Sequence, residues 1–242
     1  MHREEALRLT QLPLSAHIPR LLGVLDDGDW VAVVLEDVAG RHPRLPWRIS
    51  ELERVLGALE ELQSELTPCP VPDLPRVVEQ HQDTFGGWRQ LEKAPPADLD
   101  SWAGHNLSRL AEREGGWAVE VSGDTVLHGD LRADNVLLTK SGSVVFLDWP
   151  GACQGVDWFD PLVMAPSVAV QGGPDPEWLL SHHAGARQAD PDALTTLVVA
   201  TAGYFLHRSL LPAPPGLPAL RAFQAKQARA ALSWAAGRTG WS

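Results

Sequence analysis

The chain has 242 residues, 44% of them hydrophobic, enough to bury a substantial core in one domain or two small lobes. A formal net charge of −11 argues against nucleic-acid or anionic-membrane binding and is compatible with a cationic small molecule as partner. Two distant cysteines, Cys69 and Cys153, suggest neither a disulfide framework nor a zinc site, and with no bilayer-length apolar run and no signal-peptide core a cytoplasmic location is expected.

Residues 3–11 read as a short helix closed by Pro13. Leu21–Leu25 reads as a strand, Asp26–Asp29 as a hairpin turn and Trp30–Leu35 as the partner strand, which runs into Glu36-Asp37-Val38-Ala39-Gly40. From Ser50 the pattern turns helical. Ser50 to Glu53 has the form of a capping box, and Leu52, Val55, Leu56, Leu59, Leu62 and Leu66 follow at helical spacing until Pro68. Residues 67–75 are a proline-rich connector. Further helical segments are expected over 75–92, weakened at Gly86-Gly87, and over 96–114, ending at Gly115-Gly116. His81, Trp88 and His105 lie on these segments and read as core or surface residues, since no second ligand stands one turn away.

The stretch 126–160 carries the chemistry. Val126-Leu127 lead into His128-Gly129-Asp130, Asn135 opens the strand Val136–Thr139, and Lys140–Ser143 has hairpin-turn content. The returning strand, Ser143–Leu147, delivers Asp148 to the same end of the hairpin as Asp130 and Asn135. Two carboxylates and an amide oxygen at one edge are hard oxygen ligands plus a potential base, the set that Mg²⁺ and a hydroxyl nucleophile need.

Beyond it, Asp157 reads either as a substrate-recognition residue or as a solvated loop carboxylate. Asp160-Pro161 has an N-cap and first-turn proline signature for a helix over 162–170. Asp175-Pro176-Glu177 opens a helix to about residue 186, and Asp190-Pro191-Asp192 a long apolar one to about Leu211 whose His207 and Arg208 favour a buried core helix over a membrane span. PAPPGLP is a linker to an amphipathic terminal helix over 218–236, with Arg221, Lys226 and Arg229 on its polar face.

The run H-G-D-x-x-x-x-N, an apolar strand and then D-W resembles the aminoglycoside phosphotransferase family, the kinase-like phosphotransferases of small molecules. D-W-P stands where protein kinases have D-F-G, which fits that small-molecule branch. The resemblance implies an α+β, protein-kinase-like fold. Residues 1–40 would form a residual small lobe (an incomplete N-terminal β lobe) with the hinge, and residues 41–242 a mainly helical large lobe carrying the catalytic hairpin. Asp130 carries over as catalytic base, Asn135 and Asp148 as Mg²⁺ ligands, Arg132 as a neutraliser of the transferred phosphate, and Asp160 as a brace of the catalytic loop. The Glu36 carbonyl and the Val38 amide match the hinge positions that bind the adenine of ATP. The C-terminal helices would wall the acceptor site; Glu177, His182 and His183 either face it or lie on a solvated surface.

Two family parts have no counterpart. Nothing before Leu21 matches a Gly-rich phosphate loop, and no lysine precedes Lys93, so Glu4 or Glu5 would lack the lysine that pairs with the helix glutamate in kinases. A truncated start or a shortened homologue is the expectation. Three functions are compatible with the residues: a phosphotransferase for an aminoglycoside or other polycation, and hence antibiotic resistance; a metabolic kinase for choline or a sugar; and a non-catalytic nucleotide- or ligand-binding homologue.

Overall fold

Polar turns set the hairpins. In the computed structural model, which describes residues 2–242, helix α1 (His2–Gln11) precedes a hairpin of β1 (Leu21–Asp26) and β2 (Val31–Leu35). The Asp27 carboxylate accepts the amides of Asp29 and Trp30, and Arg3 pairs with Asp26 at 2.8 Å, tying the turn to α1. Leu22, Val24, Leu25, Trp30 and Val34 of this hairpin are exposed.

Strand β3 (Gly40–Arg41) lies against β5 (Val136–Thr139), which pairs with β6 (Val144–Phe146), in a three-stranded antiparallel sheet. The pairing of β3 has no signature in the sequence. Helix α2 (Ile49–Glu65) buries the expected stripe of Leu52, Val55, Leu56, Leu59 and Leu62, and Arg54 donates to the Gly142 carbonyl at the β5–β6 turn. The capping box is corrected: Arg48 is the N-cap residue, with no side-chain cap, and Ser50 lies inside the helix. Glu51 instead accepts from the Arg41 guanidinium at 2.6 Å and the Arg44 amide at 2.8 Å, fastening the helix start to the segment after β3.

The helical segments are shorter than periodicity suggests. The expected 75–92 helix divides into α3 (Val77–Gln80) and α4 (Gly87–Lys93), and the expected 96–114 helix into α5 (Ser101–His105) and α6 (Leu107–Glu114). Asp100 caps α5 by accepting from the Ala103 amide. Then come α7 (Trp117–Glu120), β4 (Thr125–Leu127), paired with β7 (Cys153–Gly155), and α8 (Phe159–Val170). Helices α9 (Pro176–Ser181) and α10 (Ala184–Gln188) break at His182-His183, and α11 (Pro191–Ser209) and α12 (Leu220–Thr239) complete the chain. A helix apolar all round has to be buried by others, and α11 is packed against α4, α6, α7 and α12. Among the described residues no helix is long and apolar enough to cross a membrane.

Candidate active site

The loop after β4 is held from below by one buried carboxylate. Asp160 accepts the His128 amide at 2.8 Å and the Gly129 amide at 2.9 Å. Its expected N-cap role is thereby corrected: α8 starts at Phe159 with Trp158 as N-cap residue, and the Asp160 side chain turns to the loop after β4. Burial pushes its carboxyl up from the ordinary aspartate range, opposed by His128 and the two amides. Gly129 has φ +79° and faces the Gly151 carbonyl so closely that a Cβ would collide with it, so only glycine fits. The His128 ring lies between the Leu147 carbonyl, 2.7 Å from Nε2, and the Asp130 amide, 3.3 Å from Nδ1. A carbonyl can only accept and an amide N–H only donate, so the proton sits on Nε2.

Asp130 follows directly, its side chain half-exposed. Burial raises its carboxyl above the ordinary aspartate range; Arg132 and His128 oppose that, and Asp148 and Asp134 add to it. Arg132 is anchored on Asp134 (3.1 and 3.2 Å) and stands 3.5 Å from the Asp130 carboxylate. One turn of 3-10 helix (Ala133–Asn135) carries Asn135, whose Nδ2 donates to the Asp130 carbonyl at 2.9 Å, leaving Oδ1 outward. The Leu147 amide donates to the Asn135 carbonyl at 2.8 Å, which ties the residue before Asp148 to Asn135. Asp148 itself has φ +65°, a conformation few non-glycine residues adopt, at the point where β6 ends.

Asp130, Asn135 and Asp148 thus stand together at one edge of the hairpin. The Asn135 Oδ1 and the Asp148 carboxylate fit Mg²⁺, which takes hard oxygens and is usually held by one or two carboxylates together with phosphates. Among the described residues no group of three or more His, Cys, Asp or Glu is placed to hold a metal ion. Glu5 of α1 also faces this edge: burial and the nearby Asp148 push its carboxyl up, and its contact is His2 at 3.7 Å. At the hinge, the Glu36 amide donates to the Arg20 carbonyl, while the Glu36 carbonyl and Val38 amide take no part in backbone pairing among the described residues.

The two candidate substrate residues have these surroundings. The Asp157 carboxylate packs on Gly185, where a Cβ would collide with it, and its carbonyl accepts from Gln63 at 2.6 Å. Glu177 binds the Trp234 indole at 2.7 Å and Arg238 at 2.6 Å, linking α9 to α12. His183, read as either an acceptor-site or a surface residue, is instead buried between Gln63 (3.0 Å) and the Ala186 amide (3.3 Å). His182 is exposed and stacked on Trp178.

Tyr204 of α11 packs against Phe85 and Phe205, with the Arg208 guanidinium carbon 5.8 Å from its ring, and burial raises its hydroxyl above the ordinary tyrosine range. Periodicity marks α11 as core and gives this cluster no motif of its own.

A family model described as the phosphotransferase enzyme family matches residues 2–197. No curated protein matches the chain by sequence. Among solved structures, an aminoglycoside phosphotransferase from Alicyclobacillus acidocaldarius superposes with a TM-score of 0.58 at 14% identity, over 98% of this chain and 81% of that one. Choline kinase LicA from Streptococcus pneumoniae gives 0.55 at 14% identity, over 98% and 81%. A thermostable variant of the aminoglycoside phosphotransferase APH(4)-Ia, in ternary complex with ADP and hygromycin B, gives 0.58 at 14% identity, over 98% and 80%. The shared fold is mixed α/β and kinase-like.

Proposed function

The chain belongs to the phosphotransferase enzyme family, and from that premise we propose that it transfers the γ-phosphoryl group of ATP to a hydroxyl of a small molecule, with Mg²⁺. The observation that carries this is the convergence of Asp130, the Asn135 amide and Asp148 at one hairpin edge, held by the Leu147–Asn135 and Asn135–Asp130 hydrogen bonds. Bound Mg²⁺–ATP supplies the phosphoryl group and offsets its charge. Asn135 and Asp148 are the residues that would hold the metal. Asp130 orients the acceptor hydroxyl and takes its proton as the new O–P bond forms and the bond to the leaving ADP oxygen breaks. Arg132, kept beside Asp130 by Asp134, offsets charge on the transferred group. The Glu36 carbonyl and Val38 amide, free of backbone partners, suit the adenine edge.

A second reading, nucleotide binding without turnover, uses the same edge of the hairpin, where Glu5 lies near Asp148. The aminoglycoside, choline and sugar acceptors share the same transfer chemistry.

The test is ADP release and thermal stability of the full chain with Mg²⁺–ATP. Asp130→Asn should lose about 10²–10⁴-fold in kcat, the usual contribution of a general base, while keeping its Mg²⁺–ATP stabilisation. Asp148→Asn should lose that stabilisation too. Turnover retained in either folded variant sinks the assignment; stabilisation with no turnover in the parent chain selects the second reading.

A further inference from the structure

Residues 82–93 and the last turn of α11 line a cavity of about 410 Å³ into which Arg89, Lys93 and Arg208 all face, with Asp83 as the one acidic lining residue. In a chain with 31 acidic against 20 basic side chains, composition gives no reason to expect three cations around one cavity. None of Asp130, Asn135 and Asp148 belongs to its lining.

Packing fixes its walls. A Cβ on Gly87 of α4 would run into the Gly203 carbonyl of α11, and the neighbouring Trp88 indole donates to the Val199 carbonyl at 2.7 Å. Phe85, also on the lining, packs on Trp117 at 4.8 Å and Phe159 at 6.2 Å. The guanidinium groups are held from opposite sides. Arg89 on α4 donates to the Phe85 carbonyl at 3.3 Å, and Arg208 on α11 donates to the Asp83 carbonyl at 3.4 Å with its guanidinium carbon 5.8 Å from the Tyr204 ring. Lys93 lies four residues after Arg89, on the same face of α4.

The charges around the cavity are not balanced. Arg89 is matched by the buried Glu114 at 3.6 Å. Among the described residues Lys93 and Arg208 have no carboxylate partner within ion-pair distance, and the Asp83 carboxylate pairs with no cation.

We propose that this cavity is a binding site for a phosphorylated small molecule, whose phosphate Arg208 and Lys93 take between them. A guanidinium presents paired N–H donors that match phosphate oxygens, and an ammonium adds a compact point charge. Two cations without carboxylate partners suit a phosphate dianion better than a single carboxylate, which would offset only one of them. The site does not depend on the phosphoryl-transfer reading, because it shares no residue with the hairpin edge.

The experiment is calorimetric titration of the full chain with glycerol 3-phosphate, pyrophosphate, glycerate and glycerol. Metal-free buffer is used, so that no Mg²⁺ draws phosphates to the carboxylates of the hairpin edge. Glycerol 3-phosphate or pyrophosphate should bind saturably, about ten-fold or more tighter than glycerate or glycerol. Arg208→Gln and Lys93→Gln should each weaken that binding about ten-fold or more at an unchanged urea midpoint, and Lys93→Arg should keep most of it. Lys93 is exposed, so its variant carries the test even where Arg208→Gln disturbs the packing. Arg229→Gln, an exposed change on α12 outside the cavity, should leave binding as it is. Binding of glycerol 3-phosphate shows that one phosphate ester suffices, and binding of pyrophosphate alone that two linked phosphates are needed; both support the site. No saturable binding of either, glycerate bound as tightly, or binding unchanged in Lys93→Gln overturns the proposal.

Discussion

The carboxylate of Asp160 lies under the catalytic loop and accepts two consecutive amides, those of His128 at 2.8 Å and Gly129 at 2.9 Å. Asp160→Asn offers one oxygen and one NH₂, so one buried amide loses its acceptor. Leaving a buried donor unpaired costs about 1–3 kcal/mol, and the unfolding free energy measured in urea should fall by that amount. Because Asp130 is the next residue, kcat should fall more than nucleotide affinity. An unchanged midpoint would mean that the loop is held by something else.

Arg132 sets the protonation of Asp130. Burial raises the Asp130 carboxyl, and Arg132 at 3.5 Å is the strongest group opposing that rise. With Asp130 as the proposed base the working form is the carboxylate, so activity should climb with pH through a value above that of an ordinary aspartate. Arg132→Gln removes the opposing charge, and the acid limb of kcat should move to higher pH. An acid limb that stays in place or moves down would show that another group titrates there.

Close approach of two backbones fixes α4 against α11. A Cβ on Gly203 would lie 2.5 Å from Trp88 Cδ1, 2.7 Å from its Nε1 and 2.8 Å from Glu114 Oε1. The same indole donates to the Val199 carbonyl at 2.7 Å, and the same carboxylate accepts the Trp88 and Arg89 amides at 3.1 Å. Gly203→Ala should therefore cost about 1–3 kcal/mol, the usual penalty of overpacking, read by urea unfolding. A change below about 0.5 kcal/mol, the ordinary range for a surface substitution, would show that the helices can move apart.

The legible parts of this chain are those whose signal is local. The hairpin 126–148 announces itself through apolar runs and a polar turn, and the α2 leucine stripe through its period. The brace role of Asp160 follows from resemblance, whereas its local pattern with Pro161 points to a helix cap, and tertiary demand from two loop amides wins. Glu177 shows what spacing leaves out: its partner Arg238 lies 61 residues on and meets it through helix packing.

His81 supplies a pH dependence of stability that can be isolated. Its ring packs against Phe159 at 5.2 Å and Phe85 at 6.0 Å, and its Nε2 is buried without a partner. That burial lowers its pKa from 6.5 to about 4. The folded chain therefore keeps the ring neutral while the unfolded chain protonates it. The stability this provides is complete above pH 6.5 and is lost as pH falls from there towards about 4. The full shift corresponds to at most about 3.5 kcal/mol, at about 1.4 kcal/mol for each pH unit. Burial of Glu5, Glu114, Asp130 and Asp160 raises their carboxyls and gives the opposite slope at low pH, so the contrast with a variant is the reading. In His81→Phe, urea midpoints measured from pH 7 to pH 4.5 should decline less steeply than in the parent chain. Parallel curves would mean that the ring is already protonated, or hydrated, in the folded state.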